Sequence, residues 1–115
     1  MSTEAVRNHH LESFGAGDLD GLMEDYTEDS VFITPDGAPT GLDSIRGPFA
    51  PFFEGLFKPG TFDFTMDRVE VVGEVAYIVW HSVSQGAEVT LGTDTFVVKD
   101  GKIAVQTFAA RVEER

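Results

Sequence analysis

A chain of 115 residues that is 42% hydrophobic suits one domain around one modest core and is not a disordered tail. Its net charge of −12, from 20 acidic against 8 basic side chains, repels nucleic acid and anionic membrane, so neither is expected as a partner. The lack of cysteine excludes a disulfide framework and thiolate chemistry, and no apolar run approaches the roughly 18 residues of a membrane span.

The opening Met1-Ser2-Thr3-Glu4 has neither the basic nor the apolar region of a signal peptide, so a cytoplasmic location is the default expectation. From about Thr3 to Gly15 the pattern predicts a helix, with Val6, His10 and Phe14 sharing a face at four-residue spacing. His10 therefore faces inward and His9 away. Gly15-Ala16-Gly17 ends the helix, and Asp18 is a good N-cap for a second, Leu19 to about Tyr26. A short strand, Ser30 to Thr34, stops at Pro35-Asp36-Gly37. A third helix is expected near Leu42 to Phe57, with Ile45, Phe49, Phe52, Phe53 and Leu56 on its apolar side. Pro48 and Pro51 fall inside it, so it should be kinked, broken or partly 3₁₀.

After Pro59-Gly60 the period becomes two. Phe62, Phe64 and Met66 alternate with Thr61, Asp63, Thr65 and Asp67, and the strand continues to Val72. Val75 to Ser84 follows, then a hairpin connection at Gln85 to Glu88, then a strand over Leu91 to Val98, then Asp100-Gly101 and a last strand from Ile103 to about Val112. This order implies a single α+β domain spanning residues 1–115: a curved, antiparallel to mixed sheet wrapped around three N-terminal helices. A strongly curved sheet under helices makes a cone, and ten phenylalanines either fill it or line a pocket in it.

One residue breaks the pattern. Asp94 lies in a run of β-branched and apolar residues, where a carboxylate is poorly suited and seldom buried without a partner. If Gly86-Ala87 is the two-residue turn of the hairpin, Val79 faces Asp94 and His81 faces Gly92. His81 is then a diagonal neighbour of Asp94, with Gly92 leaving it room; a one-residue slip would put Trp80 there instead. Gln106 alternates in phase with Phe108 on the last strand and either meets a ligand or satisfies a buried backbone group. Asp94, His10 and His81 are thus the candidate acid–base residues. Phe14, Phe32, Thr34, Phe53, Phe64, Val79, Gln106 and Phe108 are candidates for the ligand-binding wall. No metal or other cofactor is expected. His9 and His10 cannot both face one site on a helix, no HxxxH or HxH spacing occurs, and no phosphate loop or GxGxxG is present.

Residues Ala16-Gly17-Asp18-Leu19-Asp20-Gly21-Leu22, Tyr26, Glu28-Asp29-Ser30-Val31, Gly41 and Ile45-Arg46 together resemble the opening of nuclear-transport-factor-2-like domains. The ketosteroid-isomerase and SnoaL-like polyketide-cyclase branches are the most similar. Gly92 to Phe96 and Asp100 to Ile103 continue the likeness over nearly the whole chain. The resemblance implies the cone fold, a small, mostly apolar organic ligand and a homodimer. It places Asp94 at the oxyanion-hole acid and His10 where that family has a tyrosine. Thr34 falls where it has the general-base aspartate. A hydroxyl is no base near neutral pH, so steroid double-bond isomerisation is not expected. The alternative to acid–base catalysis is a non-catalytic ligand-binding or dimerisation module.

Overall fold

The computed structural model describes residues 2–114. Helix α1 is Thr3–Ala16; the Ser2 hydroxyl caps it by accepting from Ala5 N at 3.1 Å, and Gly17, at φ 66°, closes it. Helix α2 is Leu19–Met23, shorter than expected, with Asp18 as its cap. Strand β1 is Val31–Ile33 and helix α3 is Leu42–Glu54. Both prolines lie inside α3, which ends three residues earlier than expected, at Gly55. Ser44 and Gly47, whose carbonyls lose their helical donors to Pro48 and Pro51, are exposed, so water can satisfy them and the helix survives.

Strands β2 (Phe62–Val72), β3 (Val75–Ser84), β4 (Ala87–Lys99) and β5 (Lys102–Glu114) run as an antiparallel meander. The sheet order is β1-β5-β4-β3-β2, with β1 parallel to β5. Local register shifts near Asp67, Thr90 and Ala104 interrupt the ladders; bulges of this kind bend a sheet and deepen its twist. Among the described residues, no helix is long and apolar enough to cross a membrane.

The helices close the concave face. Val6, Leu22, Tyr26, Ile45 and Phe49 from the helical side meet Ala76, Ile78, Trp80, Phe96 and Ile103 from the sheet. Two polar ties fix the helical layer to β5. The Ser30 hydroxyl donates to the Ile103 carbonyl at 2.5 Å, and Ile103 N donates to the Asp25 carbonyl at 2.7 Å. His9, which turns from the core as expected, meets the buried Asp25 carboxylate at 2.8 Å; that contact raises its pKa and anchors α1 to the same junction.

The hairpin register departs from expectation. The β3–β4 turn is Gln85-Gly86, so Val83 faces Glu88 and Ser82 faces Val89. Beyond the bulge at Thr90, Trp80 faces Gly92 and Ile78 faces Asp94. Moving the turn alone shifts the pairing by two residues and preserves which face each side chain takes. The single extra residue at Thr90 reverses it. Trp80 and Ile78 are therefore inside, while Val79 and His81 are on the outer face. Neither of the latter belongs to the cavity assigned to them from sequence. His81 instead pairs with Asp67 at 2.7 Å, both half exposed.

Candidate functional site

Asp94 projects from the middle of β4 into the cone and is 7% exposed. Two N–H donors hold it. Trp80 Nε1 donates to Oδ1 at 2.9 Å, and Gln106 Nε2 donates to Oδ2 at 2.8 Å. Gly92 makes the first bond possible: a Cβ there would lie 2.3 Å from the indole, which crosses β4 at that point. Gln106 comes from β5, its carbonyl oxygen accepts from the Tyr26 hydroxyl, and Tyr26 in turn lies 3.5 Å from His10 Nδ1. One polar chain thus runs from α1 through the segment after α2 to β5, β4 and β3.

Everything else around it is apolar. Asp94, His10 and Gln106 share a cavity of about 30 Å³ with Phe14, Phe32, Phe64, Phe108 and other rings. Phe64 stacks on Trp80, which stacks on Phe108, with centroids 5.0 and 6.3 Å apart. That volume holds about two waters. On its outer side, a groove of about 490 Å³ shares Phe32, Phe52, Phe57 and Phe108 with the cavity as a common wall. Thr34 lines this groove and not the cavity, with its hydroxyl donating to the Gly37 carbonyl at 3.1 Å. Phe53 packs behind Phe14 at 5.3 Å and stays off both surfaces.

Burial raises the Asp94 carboxyl from 3.8 to about 7, against the pull of Gln106 and Trp80, whose N–H groups favour the ionised form. Burial, with His9 beside it, lowers His10 from 6.5 to about 3, so the imidazole is neutral. Burial, and then the Asp94 charge, drive the Tyr26 hydroxyl well above 10. The arrangement therefore offers one carboxyl able to gain or lose a proton near neutrality, and a neutral imidazole that either donates or accepts.

Of the residues read from sequence, Asp94, His10, Gln106, Phe14, Phe32, Phe64 and Phe108 meet at this cavity. Trp80 and Tyr26 were missed as members of the polar chain. Trp80 was visible only as the outcome of a register slip, and Tyr26 only as the approximate end of the expected second helix.

A curved sheet closed by helices over a small buried polar site defines the cone-shaped α+β class of nuclear-transport-factor-2-like folds. The family profile of the SnoaL-like domain matches residues 7–106, and the chain belongs to that family. No curated protein matches it. Among solved structures, the epoxide hydrolase/cyclase-like enzyme SalBIII, with a role in pyran ring formation in the polyether salinomycin, superposes with a TM-score of 0.81 at 12% identity, over 98% of this chain and 95% of that one. A polyketide-cyclase candidate from Sinorhizobium meliloti gives 0.75 at 20% identity, over 90% and 93%. A ketosteroid-isomerase candidate from Kribbella flavida gives 0.74 at 17%, over 95% and 77%. At these identities the likeness is one of fold.

Proposed function

We propose that this protein is an acid–base enzyme of isomerase, cyclase or dehydratase type, acting on an uncharged, mostly apolar organic molecule with Asp94 as the proton-transfer group. The observation that carries the reading is the Asp94 carboxyl itself. It is buried among aromatic rings, has no cation beside it among the described residues, and is held by two N–H donors at a pKa of about 7. In the acid direction, protonated Asp94 gives its proton to a substrate oxygen, and Trp80 and Gln106 stabilise the carboxylate left behind. In the base direction, the carboxylate takes a proton from carbon or from a hydroxyl. Among the described residues no lysine or arginine lines the cavity or the groove, so an anionic substrate meets no counter-charge from them. The groove has the size of a ligand pocket, about 300–1,000 Å³, and suits the body of such a molecule while the cavity takes its reacting end. SalBIII, which has a role in pyran ring formation, lends the cyclase option its analogy.

A non-catalytic binding module is the second reading. The inner volume of about 30 Å³ favours it, as does Thr34, whose hydroxyl is engaged in a turn outside the cavity. The experiment is a thermal-shift screen of neutral ketones, epoxides and hydroxy-ketones, followed by product detection with every compound that raises the melting temperature. Conversion that falls about 10²–10⁴-fold in Asp94→Asn, with binding retained, supports the enzyme. Ligands that bind and are never converted support the module. A 3-oxo-Δ5-steroid should not be isomerised, because no base stands at position 34.

A further inference from the structure

The two donors on Asp94 are not equivalent. Trp80 Nε1 carries a hydrogen and no lone pair, so it can only donate to Oδ1. Gln106 carries an amide, whose oxygen and nitrogen exchange places by a half-turn of the last side-chain torsion. With Asp94 ionised, Gln106 Nε2 donates to Oδ2 and Gln106 Oε1 accepts from Tyr26. The Tyr26 hydroxyl proton is then committed to Gln106, and His10 Nδ1 can only donate toward the Tyr26 oxygen, across a loose 3.5 Å. A proton on Oδ2 reverses each partner in turn. Oδ2–H needs an acceptor, and Gln106, the side chain already bonded to that oxygen, supplies one when its Oε1 turns toward it. Nε2 then points at Tyr26 and donates to its oxygen. The Tyr26 hydroxyl, displaced from Gln106, donates to His10 Nδ1.

We propose that Gln106 is a positioning residue whose amide turns over whenever Asp94 gains or loses its proton, carrying the change through Tyr26 to His10. The proposal rests on the reading of Asp94 as a group that changes protonation. Protons balance: Asp94 gains one from substrate or solvent, Gln106 and Tyr26 keep theirs, and the single ring proton of His10 moves from Nδ1 to Nε2. Only a neutral imidazole can serve at both ends of this exchange, and burial keeps His10 neutral. The consequence for chemistry is that Asp94, Gln106 and Tyr26 keep their partners in both forms of the carboxyl; an unpaired group among them would otherwise tilt the balance strongly to one form. The ionisable groups facing the chain are His10 from α1 with His9 beside it, and Tyr26 with Asp25 behind it from the segment after α2. The part of α3 that reaches the cavity brings only Phe49 and Phe52.

The test is a pH titration, from 5 to 9, of ¹³C,¹⁵N-labelled protein without ligand. It follows the Asp94 carboxyl carbon, the Gln106 side-chain NH₂ and the two ring nitrogens of His10. The expected result is one shared midpoint near 7, with the His10 nitrogens exchanging their protonated and bare signatures. In Gln106→Met the Asp94 midpoint should rise, since one donor to the carboxylate is gone, and His10 should cease to follow it. Asp94 titrating while Gln106 and His10 stay fixed in the wild-type protein would overturn the relay alone. Asp94 remaining ionised down to pH 5 would overturn the acid–base reading and the relay with it. The wild-type titration decides the matter even if the methionine variant does not fold.

Discussion

At Asp94 a single carboxyl sets both the chemistry and a cost in stability. Its folded-state pKa of about 7 stands above the ordinary 3.8, so the folded protein holds a proton that the unfolded chain has released. The sign follows directly. This group's stabilisation is fully present below 3.8 and is lost as pH rises through about 7, a loss of at most about 4 kcal/mol. Asp94→Asn removes the titration. In urea unfolding, the variant should match the wild type near pH 4 and exceed it at pH 8. If instead it is less stable at pH 8 by about 1–3 kcal/mol, the carboxylate serves architecture and its partners were left unpaired. Asp94 was legible in the sequence because a carboxylate among β-branched residues has few structural excuses. His10 was legible through helix phase. Tyr26 was not, because a tyrosine at a core position carries the same pattern whether or not its hydroxyl has a role.

The elements show where sequence reading stops. Strand β3 was expected at its observed bounds, Val75–Ser84, and β2 over Thr61 to Val72 against the observed Phe62–Val72; both are bounded by Gly-containing turns. Which face β3 presents was another matter. It depends on the bulge at Thr90, and nothing in Val89-Thr90-Leu91-Gly92 distinguishes a bulged strand from a regular one. The exposed Leu91 beside buried Gly92 is its trace, visible only once folded. The parallel pairing of β1 with β5 was equally hidden, since three residues, Val31–Ile33, carry no direction. Gly92 was read as making room for a neighbour, and it does, although the neighbour is Trp80 and not His81. Gly92→Ala should push the indole away from β4 and break its bond to Asp94. We expect a loss of about 1–3 kcal/mol in urea unfolding followed by circular dichroism. An alanine variant as stable as the wild type would show that the indole moves freely there.

For the whole molecule, the helices cover one face of the sheet and leave the other to be covered. Tyr77 and Val79 on β3 sit beside Thr93, Thr95 and Val97 on β4 and Val105 and Thr107 on β5, all only partly buried. Ile78 and Trp80, which alternation in the register expected from sequence would put on this face, are in the core. A homodimer through the outer face is the expected assembly, because a self-complementary patch closes most simply on its own copy. With −12 on each chain, two copies repel, and salt screens that repulsion. Light scattering at micromolar concentration should therefore show a dimer that strengthens from low to high salt and is lost in Val79→Lys. A monomer under all these conditions would refute the assembly.

Trp80 is the only tryptophan of the chain, and its N–H ends on the carboxyl around which the site is built. The protein therefore carries its own optical probe. Indole emission responds to the charge and hydrogen bonding at its nitrogen, so light emitted by the native protein reports the state of Asp94 without any label. Its intensity should follow a single titration near pH 7 that disappears in Asp94→Asn. A molecule entering between Phe64 and Phe108 should change the emission again by disturbing the stack. The same ring that fixes the acid in place can thus serve as the readout for finding what the acid acts on.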